Sequence, residues 1–189
     1  ARRRGLRYAR GPDLDEKAQP MTISLYEASI PGYLQVLDAL GVVMAKGAEH
    51  YRARDEDVDT VLEARLHETM LPFSYQVHFV VAHSLGALEG MKAGLFGPPK
   101  NLPALDYAGL QAKVADAADT LRGVSEDEVN ALAGTSMVFR LSSGDFPFTT
   151  EGFLLSFSLP NLHFHATTAY ALLRMHGVEL GKLDYLGAL

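Results

Sequence analysis

The sequence predicts an all-α protein: a four-helix bundle with a long crossover, and with a short helix and a small β-hairpin in its connections. Three observations predict this fold. Four long segments repeat apolar residues at helical spacing, prolines, glycines and capping residues separate these segments, and one short stretch alternates as a β-strand does. Helix bundles build ligand and metal sites from facing helices, so we expect any site among the four long segments.

The first long helix is predicted to end near Arg54, because apolar residues recur at three- and four-residue steps from Tyr26 to Ala48. Pro31 falls in its first turns, where backbone amides lack partners within the helix. An acidic connector, residues 55–59, leads into a short helical piece predicted over residues 61–66. That piece spans the long crossover.

The second long helix is predicted from Pro72 to about Leu95, before Gly97 and two prolines end it. It carries His78 and His83, which are five positions apart. Five residues correspond to about 140° around an α-helix, so at most one of the two imidazoles faces the centre of the core.

A third helix is predicted over residues 106–121, with an aspartate as its N-terminal cap. A β-hairpin follows, because residues 137–141 alternate, residues 142–145 favour a turn, and residues 146–149 are extended again. Pro147 cannot donate a ladder hydrogen bond and weakens the second strand.

The fourth helix is predicted over residues 150–176, and Pro160 is expected to bend it next to Asn161. This helix is apolar but turns an amide and an imidazole inward. Its predicted inward residues are Phe153, Phe157, Asn161, Phe164, His165, Thr168 and Leu172. Burying unpaired polar atoms costs about 2–7 kcal/mol each, so either a polar network or a metal site is expected beneath it.

Composition limits the classes of function. The 189 residues are 48% hydrophobic, which suits one domain with a sizeable core. The chain has no cysteine, which excludes disulfides and thiolate chemistry. A net charge of −6 argues against a nucleic-acid partner, and no apolar run approaches the length of a membrane span. We therefore predict a soluble, cytoplasmic protein with neither nucleic acid nor membrane as its partner.

The first twenty residues differ in composition from the rest. Six basic residues there oppose three acidic ones. Residues 1–20 are predicted to be a basic extension that is disordered or non-native, and residues 21–189 to form the domain; a basic arm for an anionic surface and part of a transit signal are the alternatives. At the other end, the apolar run over residues 178–189 is predicted to dock on the bundle or on a second subunit.

Several motifs make the chain similar to a bacterial domain family of unknown function within the DinB/YfiT-like superfamily, many of whose members are metalloenzymes. The similarity covers residues 21–189. It rests on Ser24–Pro31, Ala64–Leu66, Met70–Pro72, Leu159–Arg174 and Gly177–Gly187. The resemblance implies a DinB-like four-helix bundle with a long crossover, and a homodimer.

The resemblance also implies a metal site. Metal-binding relatives use one histidine from the second helix and a His-x-x-x-His pair from the fourth, and they hold nickel or zinc. Matched to this pattern, the candidate metal ligands are His78, Asn161 and His165. Asparagine replaces the first histidine of the pair and is a poorer ligand for such metals. The metal site is therefore predicted to be degenerate.

Two functions follow from this pattern. The first is a non-catalytic role in ligand binding or dimerisation, with Asn161 and His165 as a polar latch. The alternative is an enzyme that uses a divalent metal for thiol-transferase-like or hydrolytic chemistry on a small molecule. In either case a ligand pocket is predicted at Tyr26, Tyr75, His83 and Thr168, beside the candidate metal ligands.

Overall fold

The fold is that of a computed structural model, which describes residues 22–187. The predicted extension, residues 1–20, lies outside the described residues. The helices are α1 Leu25–Arg52, α2 Phe73–Ala82, α3 Leu85–Ala93, α4 Tyr107–Arg122, α5 Glu126–Asn130, α6 Thr150–Phe153, α7 Leu159–Met175 and α8 Lys182–Leu186, and the strands are β1 Leu95–Phe96, β2 Ser136–Leu141 and β3 Gly144–Thr149. The described chain is mostly helical and carries one small mixed sheet.

Helix α1 begins with reciprocal capping. The hydroxyl of Ser24 accepts the backbone N–H of Glu27, and the Glu27 carboxylate accepts the N–H of Ser24. Pro31 lies further into the helix than predicted, nearly two turns from its start. Within residues 22–187, α1 alone is long and apolar enough to span a bilayer, and half of its most apolar stretch is buried inside the fold.

The second predicted helix is interrupted. It divides into α2 and α3 at His83 and Ser84, and the backbone of Ser84 is not helical. The Ser84 hydroxyl donates to the carbonyl of Val80 at 2.8 Å, a local bond that competes with the helical ladder. A continuous helix from Pro72 to Leu95 was therefore the wrong prediction, and the break redirects α3 toward the sheet.

The long helices pack in pairs. The most extensive helix–helix contacts join α1 to α4 and α2 to α7, and α2–α4 and α1–α7 contacts connect the two pairs. Apolar residues from all of these helices form one core, which includes Ile30, Met44, Val77, Leu110 and Leu172. Between α1 and α2, the chain forms a 3₁₀ turn at Val58–Val61. The short helix predicted over residues 61–66 was therefore placed too late in the chain, since only Val61 of that range is helical.

The predicted hairpin is present and gains a third strand. Strands β2 and β3 pair antiparallel, and Pro147 lies in β3 at the edge of the sheet, opposite Val138. Strand β1 adds in parallel on the other side of β2. The all-α class with a small β-hairpin was thus only partly right, because the hairpin belongs to a three-stranded mixed sheet. The missed strand has two residues, Leu95 and Phe96, too few for an alternating pattern to be recognised.

The fourth predicted helix is continuous but changes register. A π-helical segment, Leu154–Ser158, joins α6 to α7 immediately before Pro160. The N–H of Leu159 bonds to the carbonyl of Leu154, one residue further back than in an α-helix. The predicted irregularity near Pro160 therefore takes the form of a π-bulge, which supplies the local adjustment that a helix proline requires.

The described part of the C-terminal run docks on its own chain. Val178 and Leu180 are buried, and α8 lies against α1. The polar contacts that hold it include a hydrogen bond from Gln35 to the carbonyl of Leu186 at 2.7 Å and the ion pair of Lys46 with Asp184 at 2.6 Å. Of the two docking surfaces predicted from sequence, the bundle is the one that residues 178–187 use.

Candidate functional site

His165 bonds across the interface between α2 and α7. Its Nδ1 lies 2.8 Å from Oε1 of Gln76. The amide nitrogen of Gln76 donates to the carbonyl of Leu71 at 2.7 Å, so the amide oxygen is the group that faces the imidazole. Nδ1 of His165 therefore carries the proton and Nε2 keeps a lone pair.

Asn161 and His165, the two residues of the predicted polar latch, do not bond to each other. Asn161 is half-buried, and its side-chain N–H donates to the carbonyl of Phe157, one turn back on the same helix, at 2.7 Å. The structure thus gives His165 a partner on another helix, Gln76, in place of Asn161. Phe164, predicted to face inward, is 54% exposed because the side chain points away from the α2 interface that His165 enters.

His83 lies beside His165. The two rings are nearly parallel, with centroids 5.8 Å apart. Phenylalanine rings surround His83 with centroids within 6.2 Å: Phe79, Phe96 and Phe157. His83 is 4% exposed, and its Nδ1 has no hydrogen-bond partner among the described residues. An unsatisfied buried donor or acceptor costs about 1–3 kcal/mol.

Both imidazoles of this pair are neutral near pH 7. Burial, reinforced by the nearby His165, lowers the pKa of His83 to about 4. Burial lowers the pKa of His165 to about 4 as well. Protonating either ring would place a charge among aromatic side chains that cannot solvate it.

His78 belongs to a different interface. Although it is 3% exposed, both of its ring nitrogens have partners: Nε2 donates to the carbonyl of Pro103 at 3.2 Å, and Nδ1 accepts from Nζ of Lys113 at 2.9 Å. These partners belong to α4 and the segment before it. The five-residue spacing on the second helix therefore separates the two histidines as predicted, and His83 is the one that joins His165.

The other predicted pocket residues do not bond to the imidazoles. Tyr26 uses its backbone N–H to bind the side chain of Asn130 at 3.0 Å. The Thr168 hydroxyl donates to the carbonyl of Phe164 on its own helix at 2.7 Å. Tyr75 is 40% exposed at the surface of α2. Of the four predicted pocket residues, His83 is the one whose ring stacks on His165.

The donor set at His83 and His165 does not fit a three-ligand metal centre. The two rings supply neutral nitrogens, but no group of three or more histidine, aspartate or glutamate side chains in residues 22–187 is arranged to hold a metal ion. His78, a predicted metal ligand, is already bonded on both nitrogens. A catalytic zinc site usually has three protein ligands, so this pair falls one short.

A cleft opens beside His78. It has a volume of about 440 Å³ and lies between the end of α2, α3, β1 and the segment that leads to α4. Most of its wall is apolar or small, and its polar side chains are His78, Lys113 and Glu89. Gly86 and Gly90 on α3 leave room on one side; a side chain at Gly90 would meet Phe96 at 2.9 Å, whereas one at Gly86 would meet nothing closer than 3.8 Å.

Electrostatics at the cleft differ from those of the core pair. Burial lowers the pKa of Lys113 from its ordinary value. Burial, and then the positive charge of Lys113, lower the pKa of His78. The imidazole is therefore the neutral acceptor and the ammonium the donor in the bond that joins them.

Two residues of these sites were missed in the sequence. Gln76 is the single amide in an otherwise mostly apolar helical run, which is the signal of a buried polar partner. Lys113 precedes Val114 of the apolar α4 stripe, so it lies at the margin of the buried face. Neither signal names the partner, because Gln76 bonds 89 positions away and Lys113 35 positions away.

Comparison with known proteins relates the chain to one protein family and to solved structures. A domain of unknown function (DUF1993) matches residues 25–186. The crystal structure of a DinB family member protein from Shewanella denitrificans superposes with a TM-score of 0.72 at 27% sequence identity, covering 87% of this chain and 93% of that one. No curated protein matches the chain significantly. The chain belongs to the DUF1993 family, a domain of unknown function within the DinB-like superfamily.

Proposed function

We propose that this chain is a non-catalytic, small-molecule-binding member of the DinB-like superfamily, and that its ligand occupies the cleft beside His78. One observation carries the proposal: a hydrogen-bonded pair of polar side chains, His78 and Lys113, lines a cavity of about 440 Å³ whose wall is otherwise mostly apolar. Ligand sites in proteins commonly combine an apolar wall with a few fixed polar groups.

In this proposal the cluster formed by His165, Gln76 and His83 has a structural role. His165 and Gln76 connect α7 to α2 inside the core, and His83 completes a stack of aromatic rings around them. The cluster occupies the place of the predicted metal site and works without a metal. The proposal also takes α1, α2, α4 and α7 as the four helices of a DinB-like bundle, in which this cluster joins α2 to α7.

The alternative is an enzyme that uses nickel or zinc. Two adjacent neutral imidazoles favour it, but the third ligand would have to come from outside the pair. Elemental analysis of protein purified without a chelator or an affinity tag separates the two functions. We expect no bound metal after addition of nickel or zinc; about one metal per chain, lost in His165→Ala, would support the enzyme instead.

The homodimer is part of the proposal, on the strength of the resemblance to the superfamily, and so is the cytoplasmic location. Light scattering on a size-exclusion column measures the state of assembly. A mass of two chains across a tenfold range of protein concentration is the expected result, and a mass of one chain would contradict the proposed dimer.

Filling the cleft tests ligand binding. Gly86 lies on the cleft wall in α3, and a leucine there has room at its Cβ. We expect wild-type protein to bind members of a panel of small aromatic acids, amides, amines and alcohols, detected by saturation-transfer NMR. Gly86→Leu is expected to lose this binding.

The control is Gly32→Leu on α1, which is the same change at a helical glycine outside the cleft, again with open space at the Cβ. It is expected to bind as the wild type does. Binding that survives in Gly86→Leu, or a panel in which no compound binds the wild type, contradicts the proposed function.

A further inference from the structure

We infer that the cleft selects a small monocarboxylate with an apolar body, and that Lys113, positioned by His78, binds its carboxylate group. This inference rests on the proposed function and specifies the class of ligand. It is argued from the partners of Lys113, the setting of His78 and the charge on the cleft wall.

Lys113 is a half-buried cation without a carboxylate partner among residues 22–187. Of the other lysines in residues 22–187, Lys46 and Lys92 form ion pairs with Asp184 and Glu128 at 2.6 and 2.5 Å, and Lys100 and Lys182 are exposed. Lys113 instead donates one N–H to the neutral ring of His78. An ammonium has three donors, so two remain for a ligand. A cation that has lost water without gaining an anion is a site where a carboxylate binds favourably.

His78 holds the ammonium in one place. Its Nε2–H is fixed by the carbonyl of Pro103, so its Nδ1 lone pair has one direction, and Lys113 is aligned along it. Because the histidine is buried on α2 and the lysine extends from α4, the bond also spans the two helices that meet at the cleft. His78 is therefore a positioning residue, and Lys113 is the residue that contacts the ligand.

The rest of the cleft specifies the ligand's body and charge. Its wall includes Val81, Leu85 and Phe96, which suit an aliphatic or aromatic group. Glu89 adds a negative charge to the same wall and is exposed, with no ion pair to a described residue. A second negative charge on the ligand would be repelled by Glu89, so one carboxylate is favoured over phosphate.

Matched small probes test this inference by isothermal titration calorimetry. The probes are benzoate, benzamide, benzylamine and inorganic phosphate. Benzamide and benzylamine share the ring of benzoate, and phosphate shares its negative charge. We expect benzoate to bind at least tenfold more tightly than each of the other three. Lys113→Met is expected to weaken benzoate binding at least tenfold, Lys113→Arg to retain most of it, and Glu89→Gln to strengthen it severalfold. Lys92→Met is the control for loss of a lysine and is expected to change nothing.

A spectroscopic measurement addresses the role of His78. In ¹⁵N NMR spectra of the imidazole, Nε2 is expected to stay protonated while the Nδ1 resonance shifts when benzoate binds. The shift is expected to be absent in Lys113→Met, whereas a purely structural histidine would show no shift in either protein.

The outcomes separate the two proposals. Equal binding of benzamide and benzoate overturns the carboxylate inference but leaves ligand binding in the cleft intact. Preference for benzylamine or for phosphate overturns it too, the first by assigning recognition to Glu89. Absence of binding by every probe and by the wider panel overturns both. Should Lys113→Met fail to fold, the wild-type comparison of benzoate with benzamide still decides.

Discussion

Two buried histidines, one on α2 and one just past its last residue, are five residues apart and have opposite surroundings. His83 faces phenylalanine rings and His165, and its Nδ1 has no partner among the described residues. His78 has a partner on each nitrogen and borders a cleft. Their exposures, 4% and 3%, are almost equal. Burial alone therefore does not distinguish a structural histidine from one at a ligand site; the neighbours do.

The surroundings of a buried polar group decide whether it affects stability or ligand binding. In the core cluster, the imidazoles are enclosed by aromatic side chains, so the hydrogen bond between His165 and Gln76 supports the packing of α2 on α7. At the cleft, the polar pair lies next to open volume, so its unused donors are available to a ligand. We expect changes in the core cluster to alter stability, and changes at the cleft to alter binding.

The largest effect is expected from His165→Ala. The substitution removes the partner of Gln76 and leaves a cavity beside Phe79, so the free energy of unfolding should fall by about 2–4 kcal/mol. Urea denaturation followed by circular dichroism measures it. His163→Ala, an exposed histidine two positions away, is the control and should change stability by less than about 0.5 kcal/mol. An equal loss in both variants would contradict the structural role of the cluster.

Acid should weaken the core cluster next. The folded-state pKa of His83 is about 4, below the value of 6.5 for an unperturbed histidine. The unfolded chain therefore binds more protons between these two pH values, and stability falls as the pH is lowered from about 6.5 toward 4. The expected loss from His83 is about 2–3 kcal/mol at pH 4.

Denaturation curves at pH 7, 6, 5 and 4 measure this loss, with His83→Phe as the comparison. Phenylalanine keeps an aromatic ring in the stack but cannot be protonated, so the variant should lose less stability over the same range. The pKa values of His165, His78 and Glu27 are also lowered and affect stability in this pH range, but these residues are present in both proteins, so the difference between the two sets of curves reports on His83. Parallel curves for the two proteins would show that His83 does not cause the acid sensitivity.

The smallest effect is expected at the cleft wall. Gly86→Ala should raise the free energy of unfolding by about 0.5–1 kcal/mol, because alanine favours the helix and its Cβ has room. Gly90→Ala, one turn along α3, should lower it instead, because its Cβ would lie 2.9 Å from the Phe96 ring. Thermal unfolding of the pair measures the contrast. Equal shifts would mean that a side chain has no more space at position 86 than at position 90.

Local patterns predicted most of the helices but not their interruptions. The apolar stripe of α4 and its Asp106 cap were recognised directly, since both act within a few residues. The break at Ser84 was missed because a serine is compatible with a helix, and its hydroxyl bonded back to Val80 only in this packed setting. The strand β1 was missed because its two residues form a strand only by pairing with β2.

The candidate site shows the same division. The sequence placed His165 in the core and kept His78 and His83 on different faces, and both predictions are confirmed by the burial and contacts of these residues. It paired His165 with Asn161, a neighbour on the same helix, whereas the partner is Gln76 on α2. Intrahelical neighbours follow from spacing; partners on other helices do not.

By itself, the sequence determined the long amphipathic segments, the capped helix ends, the hairpin and the family, because these depend on periodicity and on motifs read along one chain. Only the tertiary structure decided which buried imidazole meets which partner, and that a lysine from α4 reaches a histidine on α2 at the wall of a cleft. The reason is physical: a hydrogen bond extends about 3 Å in space, and packing of distant segments sets which groups come within that range.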